Sequence, residues 1–234
     1  MCEGVVLKRV QGPECSAWSQ ALLADVPLSS EFRLPRPLAS SNGGYVVDGW
    51  IATEFIPGLS SLRHDPSTIV RVGEALSDVL TEANCGDSSV VTQRQDRWAR
   101  ADRYVWSEET VALSTEAAAI ATNFRTHMSS DHGTPAVVHG DLSGNVFVDP
   151  LGTPVVLDFS PYIRPKRYAS AIVVADNLLW HDGEPTLTRL IANDDDALAR
   201  ALLFRMVAEQ LGPTRSQDIE IADYHRVLAA LGWV

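Results

Sequence analysis

One stretch, Ala136–Ser160, limits what this chain can fold into more than any other: A-V-V-H-G-D-L-S-G-N-V-F-V-D-P-L-G-T-P-V-V-L-D-F-S. It contains two short apolar runs rich in β-branched residues, Val146–Val148 and Val155–Leu157, separated by a segment that begins with Asp149–Gly152. Proline at the second position and glycine at the fourth position of that segment favour a type I turn. Two β-runs around a short turn predict a β-hairpin.

The open end of this hairpin carries polar residues. If Val148 pairs with Val155, the register places Asn145 opposite Asp158, and directly opposed Cβ atoms lie about 5 Å apart. Amide and carboxylate oxygens at that spacing can share one Mg²⁺, which takes few protein ligands and keeps water or phosphate oxygens. A third acid, Asp141, lies just upstream in a loop flanked by glycines. We therefore predict a divalent-metal site with a neighbouring acid; the alternative is that the aspartates only cap turns.

Composition narrows the class of protein. The 234 residues suffice for one large domain or two small lobes, and the formal net charge is −11. This acidic balance argues against a general affinity for nucleic acid or anionic membranes, although it allows a local basic pocket. The cysteines Cys2, Cys15 and Cys85 are scattered without metal-ligand spacing, and no apolar run is long enough to span a membrane. We expect a cytoplasmic protein without nucleic-acid or membrane partners; the sequence indicates no oligomeric state.

The first part of the chain has the pattern of a small β-rich unit. Gly4–Val10 is a strand candidate whose apolar run is interrupted by Lys8, and Pro13–Ala24 has helical character. Tight-turn signals at residues 42–44 and 48–49 flank two further strand candidates, Tyr45–Val47 and Trp50–Ile56.

After Pro57-Gly58 the chain is mostly helical, and the Asp65-Pro66 pair predicts a helix start. We therefore predict an α+β chain with a β-rich lobe over residues 1–56 and a larger helical lobe over 57–234. Four arginines recur every three residues in the second lobe and favour a solvated helix face over a phosphate-binding face. They are Arg94, Arg97, Arg100 and Arg103.

The central residues also match a known pattern. The run His139-Gly140-Asp141-Leu142 with Asn145, followed by Leu157-Asp158-Phe159, resembles the catalytic and metal-binding motifs of the aminoglycoside phosphotransferase and choline kinase superfamily. The resemblance covers nearly the whole chain, and residues 158–165 are also similar to an actinobacterial branch of that superfamily. It implies a protein-kinase-like two-lobe fold with a catalytic loop at 139–145 and a metal-binding hairpin at 146–158.

The resemblance also assigns roles. It implies an ATP- and Mg²⁺-dependent kinase that phosphorylates a hydroxyl of a small molecule, with Asp141 as the base and His139 as a second catalytic-loop residue. Asn145 and Asp158 would hold Mg²⁺, and Lys8 would neutralise nucleotide phosphates. The remaining cofactor contacts would come from a hinge, where the adenine lies against the backbone of Glu54, Phe55 and Ile56.

The chain departs from the family pattern in three ways. Lys8 is almost at the start of the sequence, so we expect an N-lobe truncated before this lysine, without a glycine-rich loop. Three residues instead of four separate Asp141 from Asn145. The helix after Lys8 offers only an early Glu14, so we expect Lys8 to lack an acidic partner. The alternative to a kinase is thus a catalytically impaired kinase-like protein that binds nucleotide or acts as a scaffold.

Overall fold

The computed structural model describes residues 4–83, 86–212 and 221–234; Cys2 and Cys85 lie outside these ranges. The chain divides into two compact units. The first contains Met1–Arg94 and Pro135–Lys166, and the second contains Gln95–Thr134 and Arg167–Val234. The lobe boundary expected near residue 56 stays a prediction.

The first unit contains all the strands among the described residues. Its strands are β1 (Val5–Arg9), β2 (Trp50–Glu54), β3 (Ser60–Ser61), β4 (Pro135–His139), β5 (Val146–Val148), β6 (Pro154–Val156) and β7 (Pro161–Pro165). They form three small sheets with the orders β1-β2, β3-β5-β6 and β4-β7. Its helices are α1 (Pro13–Asp25), α2 (Pro66–Glu82) and α3 (Ser89–Thr92).

The β1–β2 sheet carries the strand lysine. The two strands are antiparallel, and Lys8 lies opposite Ile51. A two-residue turn precedes β2, in which Asp48 and Gly49 have φ angles of 50° and 78°, so both residues are left-handed as a type I′ turn requires. This confirms the second predicted turn. The predicted strand at Tyr45–Val47, however, is reduced to one isolated bridge, between Val47 and Trp50.

The β5–β6 hairpin exists, but the predicted register is wrong by one residue. The observed pairs are Val146–Val156, Phe147–Val155 and Val148–Pro154. The type I turn is present, because the Gly152 N–H donates to the Asp149 carbonyl at 3.0 Å. Gly152 then takes a φ of 84°, and the Asp149 N–H donates to the Thr153 carbonyl at 3.0 Å. This left-handed glycine tightens the connection by one residue relative to the prediction, and it therefore shifts every pair.

The helix α2 supports the strand β4, which precedes the predicted catalytic loop. Asp65 accepts from the Thr68 N–H at 3.1 Å, so the predicted N-cap is confirmed. The buried face of α2 includes Leu76 and Leu80, both fully buried. From the same helix the Ser77 hydroxyl donates to the Val137 carbonyl in β4 at 2.9 Å. These contacts fix β4, and with it the start of the loop that follows His139.

The second unit is helical. It contains α4 (Arg97–Val105), α5 (Thr115–Thr126), α6 (Lys166–Trp180, of which all but the first residue belongs here), α7 (Asp195–Gln210) and α8 (Ile221–Leu231). The helices α6 and α7 form its core, and a buried ion pair joins them where Arg205 donates to Asp176 at 2.6 and 2.7 Å. Among the described residues, no helix combines the length and apolar character needed to cross a membrane.

Candidate active site

The predicted catalytic loop follows β4 directly. β4 and β7 pair in antiparallel fashion with His139 opposite Pro161, and the Gly140 N–H donates to the Ser160 carbonyl at 2.9 Å. Leu142 is buried against α2, where a Cβ added to Gly73 would lie 2.3 Å from Leu142 Cδ1. The loop is thus held by the pairing of β4 with β7 on one side and by the packing of Leu142 against Gly73 of α2 on the other.

Gly140 is required by packing. A Cβ at this position would lie 2.3 and 2.4 Å from two ring carbons of Tyr162, which is well inside any real contact distance. Its φ is not in the left-handed region. Glycine is needed here because it leaves room for the buried Tyr162 ring.

His139 links the predicted catalytic loop to the β5–β6 hairpin. Its Nδ1 accepts from the Asp141 N–H at 3.1 Å, so its Nε2 carries the proton and donates to the Leu157 carbonyl at 3.2 Å. The ring lies edge-on to Phe159 at 5.5 Å, and the residue is only 2% exposed. His139 therefore holds Asp141 and the end of β6 in register, as a positioning residue.

Asn145 reaches Asp141 despite the shorter loop. The Asn145 N–H donates to the Leu142 carbonyl at 2.9 Å, and Gly144 has a φ of 81°, as the third residue of a type II turn requires. The Asn145 side-chain amide then donates to the Asp141 carbonyl at 2.7 Å and to Asp141 Oδ2 at 3.3 Å. These bonds direct the amide nitrogen toward Asp141.

Asn145 and Asp158 are not the cross-strand partners that the sequence predicted. The Asn145 carbonyl accepts from the Leu157 N–H at 2.8 Å, so Leu157 is its neighbour, and Asp158 follows with a φ of 49°. Asp158 instead forms an ion pair with Lys8. The expectation that Lys8 lacks an acidic partner is therefore wrong, because its partner lies on the hairpin and not on α1.

The Lys8–Asp158 ion pair is accessible to solvent. The two side chains are 53% and 54% exposed. An exposed pair contributes little to stability, about 0 to 1 kcal/mol, so it can open at small cost when a ligand supplies other partners. The structure thus brings together two pairs in one unit, Lys8 with Asp158 and Asp141 with Asn145.

In the predicted hinge, Glu54 and Phe55 already form polar contacts, whereas the Ile56 backbone does not. The Glu54 carboxylate forms an ion pair with Arg33 and accepts from the Arg36 N–H at 3.3 Å. The Phe55 N–H donates to the Gly4 carbonyl at 2.9 Å. Within the described ranges, no hydrogen bond involves the backbone of Ile56, whose side chain is buried. Arg33 and Arg36 could not be predicted as partners of Glu54, since they lie in a proline-containing stretch without periodicity.

The arginine series does not form a free basic face. Arg94 donates to the Pro161 carbonyl at 3.1 Å and lies over the Tyr162 ring at 4.8 Å. In the second unit, Arg100 and Arg103 both donate to Glu109, at 2.7 and 2.9 Å. These arginines serve contacts within each unit.

The donor set is compatible with a hard cation. Asp158 supplies carboxylate oxygens. The Asn145 amide nitrogen faces Asp141, so among the described residues no donor contacts the amide oxygen, Asn145 Oδ1. Over all the described residues, no three or more His, Cys, Asp or Glu side chains are grouped so that they could hold a metal ion. A cation here would therefore need oxygens from water or phosphate as well.

Comparisons with known proteins agree with this geometry. No protein-family model and no curated protein matches the chain. Among solved structures, the choline kinase LicA from Streptococcus pneumoniae aligns over 100% of this chain and 88% of its own, with a TM-score of 0.56 and 14% identity. An aminoglycoside phosphotransferase from Alicyclobacillus acidocaldarius aligns over 97% and 82%, with a TM-score of 0.53 and 15% identity.

A third structure is the AMP-bound complex of the spectinomycin phosphotransferase APH(9)-Ia. It covers 96% of this chain and 83% of its own, with a TM-score of 0.52 and 15% identity. Similarity at this level of identity concerns the fold. The chain therefore has the kinase-like fold shared by aminoglycoside phosphotransferases and choline kinases, as its central motif predicted.

Proposed function

We propose that this protein is an ATP- and Mg²⁺-dependent phosphotransferase that moves a γ-phosphoryl group to a hydroxyl of a small molecule. The observation that carries the proposal is the link through His139, which connects the Asp141 N–H to the carbonyl directly before Asp158. A candidate base and a candidate metal ligand are thereby held by one buried ring. The solved structures with this fold are named as phosphotransferases and a choline kinase, which supports the same reaction class.

The nucleotide would bind through groups that, among the described residues, have no hydrogen-bond partner or a weakly held one. The Ile56 backbone would bond the adenine, and the Lys8 ammonium would leave Asp158 to contact phosphate oxygens. Asn145 Oδ1 and the Asp158 carboxylate would hold Mg²⁺, whose charge would neutralise the phosphates. The weak, exposed Lys8–Asp158 pair suits this exchange, because both partners gain ligands of opposite charge when it opens.

Phosphoryl transfer then needs a correctly aimed hydroxyl. The Asp141 carboxylate accepts the proton of the substrate hydroxyl while the substrate oxygen forms its bond to the γ-phosphorus. The bond between that phosphorus and the β–γ bridging oxygen breaks, and ADP leaves with the electron pair. The Asn145 amide, 3.3 Å from Asp141 Oδ2, fixes the orientation of this carboxylate.

The test is ATP turnover across a panel of amino alcohols, simple alcohols and aminoglycosides, with and without Mg²⁺. Asp141→Asn is the active-site variant, and Asp131→Asn, an exposed loop residue in the other unit, is the matched control. We expect Mg²⁺-dependent turnover in wild type and control only. Equal turnover in Asp141→Asn would remove Asp141 from the mechanism.

A second candidate function is nucleotide binding without catalysis. The specific observation behind it is that the sheet containing Lys8 has only two strands, β1 and β2, among the described residues. Thermal unfolding with ATP and Mg²⁺ separates the two candidates from a scaffold that binds neither. A ligand at about 100 times its Kd stabilises by about 2.7 kcal/mol, so a shift without turnover favours the non-catalytic function.

A further inference from the structure

The β1–β2 sheet ends at an open strand edge. On one side, β2 is bonded beyond the sheet, since the Leu38 N–H donates to the Ala52 carbonyl and the Glu54 N–H donates to the Arg36 carbonyl, both at 2.9 Å. On the other side, β1 pairs only with β2 within the residues that the structure describes. Among the described residues, the outer edge of β1 thus has no neighbouring strand.

The strand β1 is largely accessible, with apolar residues in its first part and the basic residues Lys8 and Arg9 at its end. Leu7 is 61% exposed and Val6 is 42% exposed, and Trp50 on the neighbouring strand is also largely exposed. Exposed strand edges carry unpaired N–H and C=O groups and are templates for pairing with another strand.

The hydrogen-bond pattern identifies the groups that face outward. The Val10 N–H donates to the Gly49 carbonyl and the Phe55 N–H donates to the Gly4 carbonyl. Hydrogen-bonded positions alternate along an antiparallel strand, so the N–H and C=O of every second residue point toward β2. The outward groups therefore belong to the residues between them, Val5, Leu7 and Arg9.

We propose that this edge pairs with β1 of a second copy of the same chain, antiparallel, about a two-fold axis at Leu7. In this register Leu7 lies opposite Leu7 of the second copy, and its outward N–H and C=O bond their counterparts. Val5 lies opposite Arg9 in the same way, again with outward groups on both sides. The edge is self-complementary, as an isologous dimer interface must be.

Charge and the number of paired residues select this register over others. A two-fold axis at Lys8 or at Arg9 would oppose like charges directly, which is destabilising. An axis at Val6 keeps the same hydrogen-bond parity, but within β1 it pairs only Val5, Val6 and Leu7. Only the axis at Leu7 pairs all five residues of β1 without opposing like charges.

The pairing would also change the nucleotide-binding face. Val6 and Lys8 share one face of β1, because side chains alternate along a strand. In the proposed register, Lys8 of the second copy lies directly opposite Val6, on the face that carries the Lys8–Asp158 pair. The resulting four-stranded sheet would therefore bring a second ammonium group beside each copy's own lysine.

The first test is the mass in solution by light scattering, over about a hundredfold range of concentration of the whole chain. Leu7→Lys places like charges at the two-fold axis, and Leu151→Lys makes the same change at the hairpin turn, where the leucine is 90% exposed. We expect dimers for wild type and Leu151→Lys and monomers for Leu7→Lys. A wild type that stays monomeric throughout, or a Leu7→Lys variant that stays dimeric, overturns the proposal.

The second test fixes the register. In a background with all three cysteines changed to serine, Leu7→Cys would place two Cα atoms about 5.5 Å apart across the axis, within the range of a disulfide. Val6→Cys would face Lys8 of the second copy and not its own counterpart. We expect oxidation to give a covalent dimer for Leu7→Cys and much less for Val6→Cys. Equal cross-linking of both, or none of Leu7→Cys, overturns the register.

Discussion

Replacing Gly140 with alanine tests the packing that places the catalytic loop. The new Cβ would lie 2.3 and 2.4 Å from two ring carbons of Tyr162. That ring is 5% exposed and lies beneath the Arg94 guanidinium at 4.8 Å, so it cannot swing into solvent. Either the ring or the backbone next to Asp141 must move.

Overpacking of this kind costs about 1 to 3 kcal/mol. For a chain of this size each kcal/mol lowers Tm by about 2 to 4 °C, so a central cost of about 2 kcal/mol gives a drop of about 6 °C. A shift of about 1 Å at a catalytic group can cost about 10²-fold in rate. We therefore expect Gly140→Ala to lower both Tm and turnover.

The assays are urea unfolding, thermal unfolding and ATP turnover under identical conditions. Gly12→Ala is the matched control, because a Cβ at Gly12 has no neighbour within 4 Å. Tyr162→Ala should make room for the new methyl group, so the double variant should lose less than the sum of the single losses. A Gly140→Ala protein within about 0.5 kcal/mol of wild type, or additive losses, would refute the packing argument.

Three further changes have definite expected outcomes. Asp141→Asn should lower turnover by about 10²- to 10⁴-fold while the thermal shift with ATP and Mg²⁺ persists; loss of both would indicate misfolding instead. Hydrogen bonds lower the pKa of Asp65 below 3.8; the bond from the Ser67 hydroxyl has the largest effect, and the bond from the Thr68 N–H the next largest. The ionised carboxylate therefore stabilises α2 above that pH. Asp65→Ala should therefore cost about 1 kcal/mol at neutral pH, and less as the pH falls below 3.8, in urea titrations. Burial raises the pKa of Glu209, whose carboxylate accepts from the Tyr224 hydroxyl at 2.9 Å. Its ionisation opposes folding as the pH rises above 4.5, so Glu209→Gln should gain stability relative to wild type as the pH rises from 4.5 through the raised pKa; a constant difference would contradict this.

In the β5–β6 hairpin, local sequence predicts the strands and the turn but not the register. Its two strands and its type I turn follow from β-branched runs around Asp149-Pro150-Leu151-Gly152, and both are confirmed. The register does not follow from these residues, because the same turn can form with or without a hydrogen bond from the Asp149 N–H to the Thr153 carbonyl. A left-handed Gly152 selects the tighter closure, and a one-residue shift changes every cross-strand partner.

The partner of Lys8 could not be found by local reasoning. The sequence directs attention to the helix after β1, but the carboxylate that meets this lysine lies 150 positions away, on the hairpin. Such a contact depends on how β1 and the hairpin are brought together, which no periodicity encodes. The same holds for Gly140, whose role depends on a ring in β7.

The shortened loop between Asp141 and Asn145 shows why residue count alone does not predict where its side chains lie. With one residue fewer between Asp141 and Asn145, the asparagine would be displaced if the loop kept an ordinary conformation. Gly144 instead adopts a φ of 81°, the turn closes through the Leu142 carbonyl, and the asparagine amide returns to Asp141 at 2.7 Å. A residue with a Cβ would strain that backbone, so the amino acid at position 144 matters more than the length of the loop.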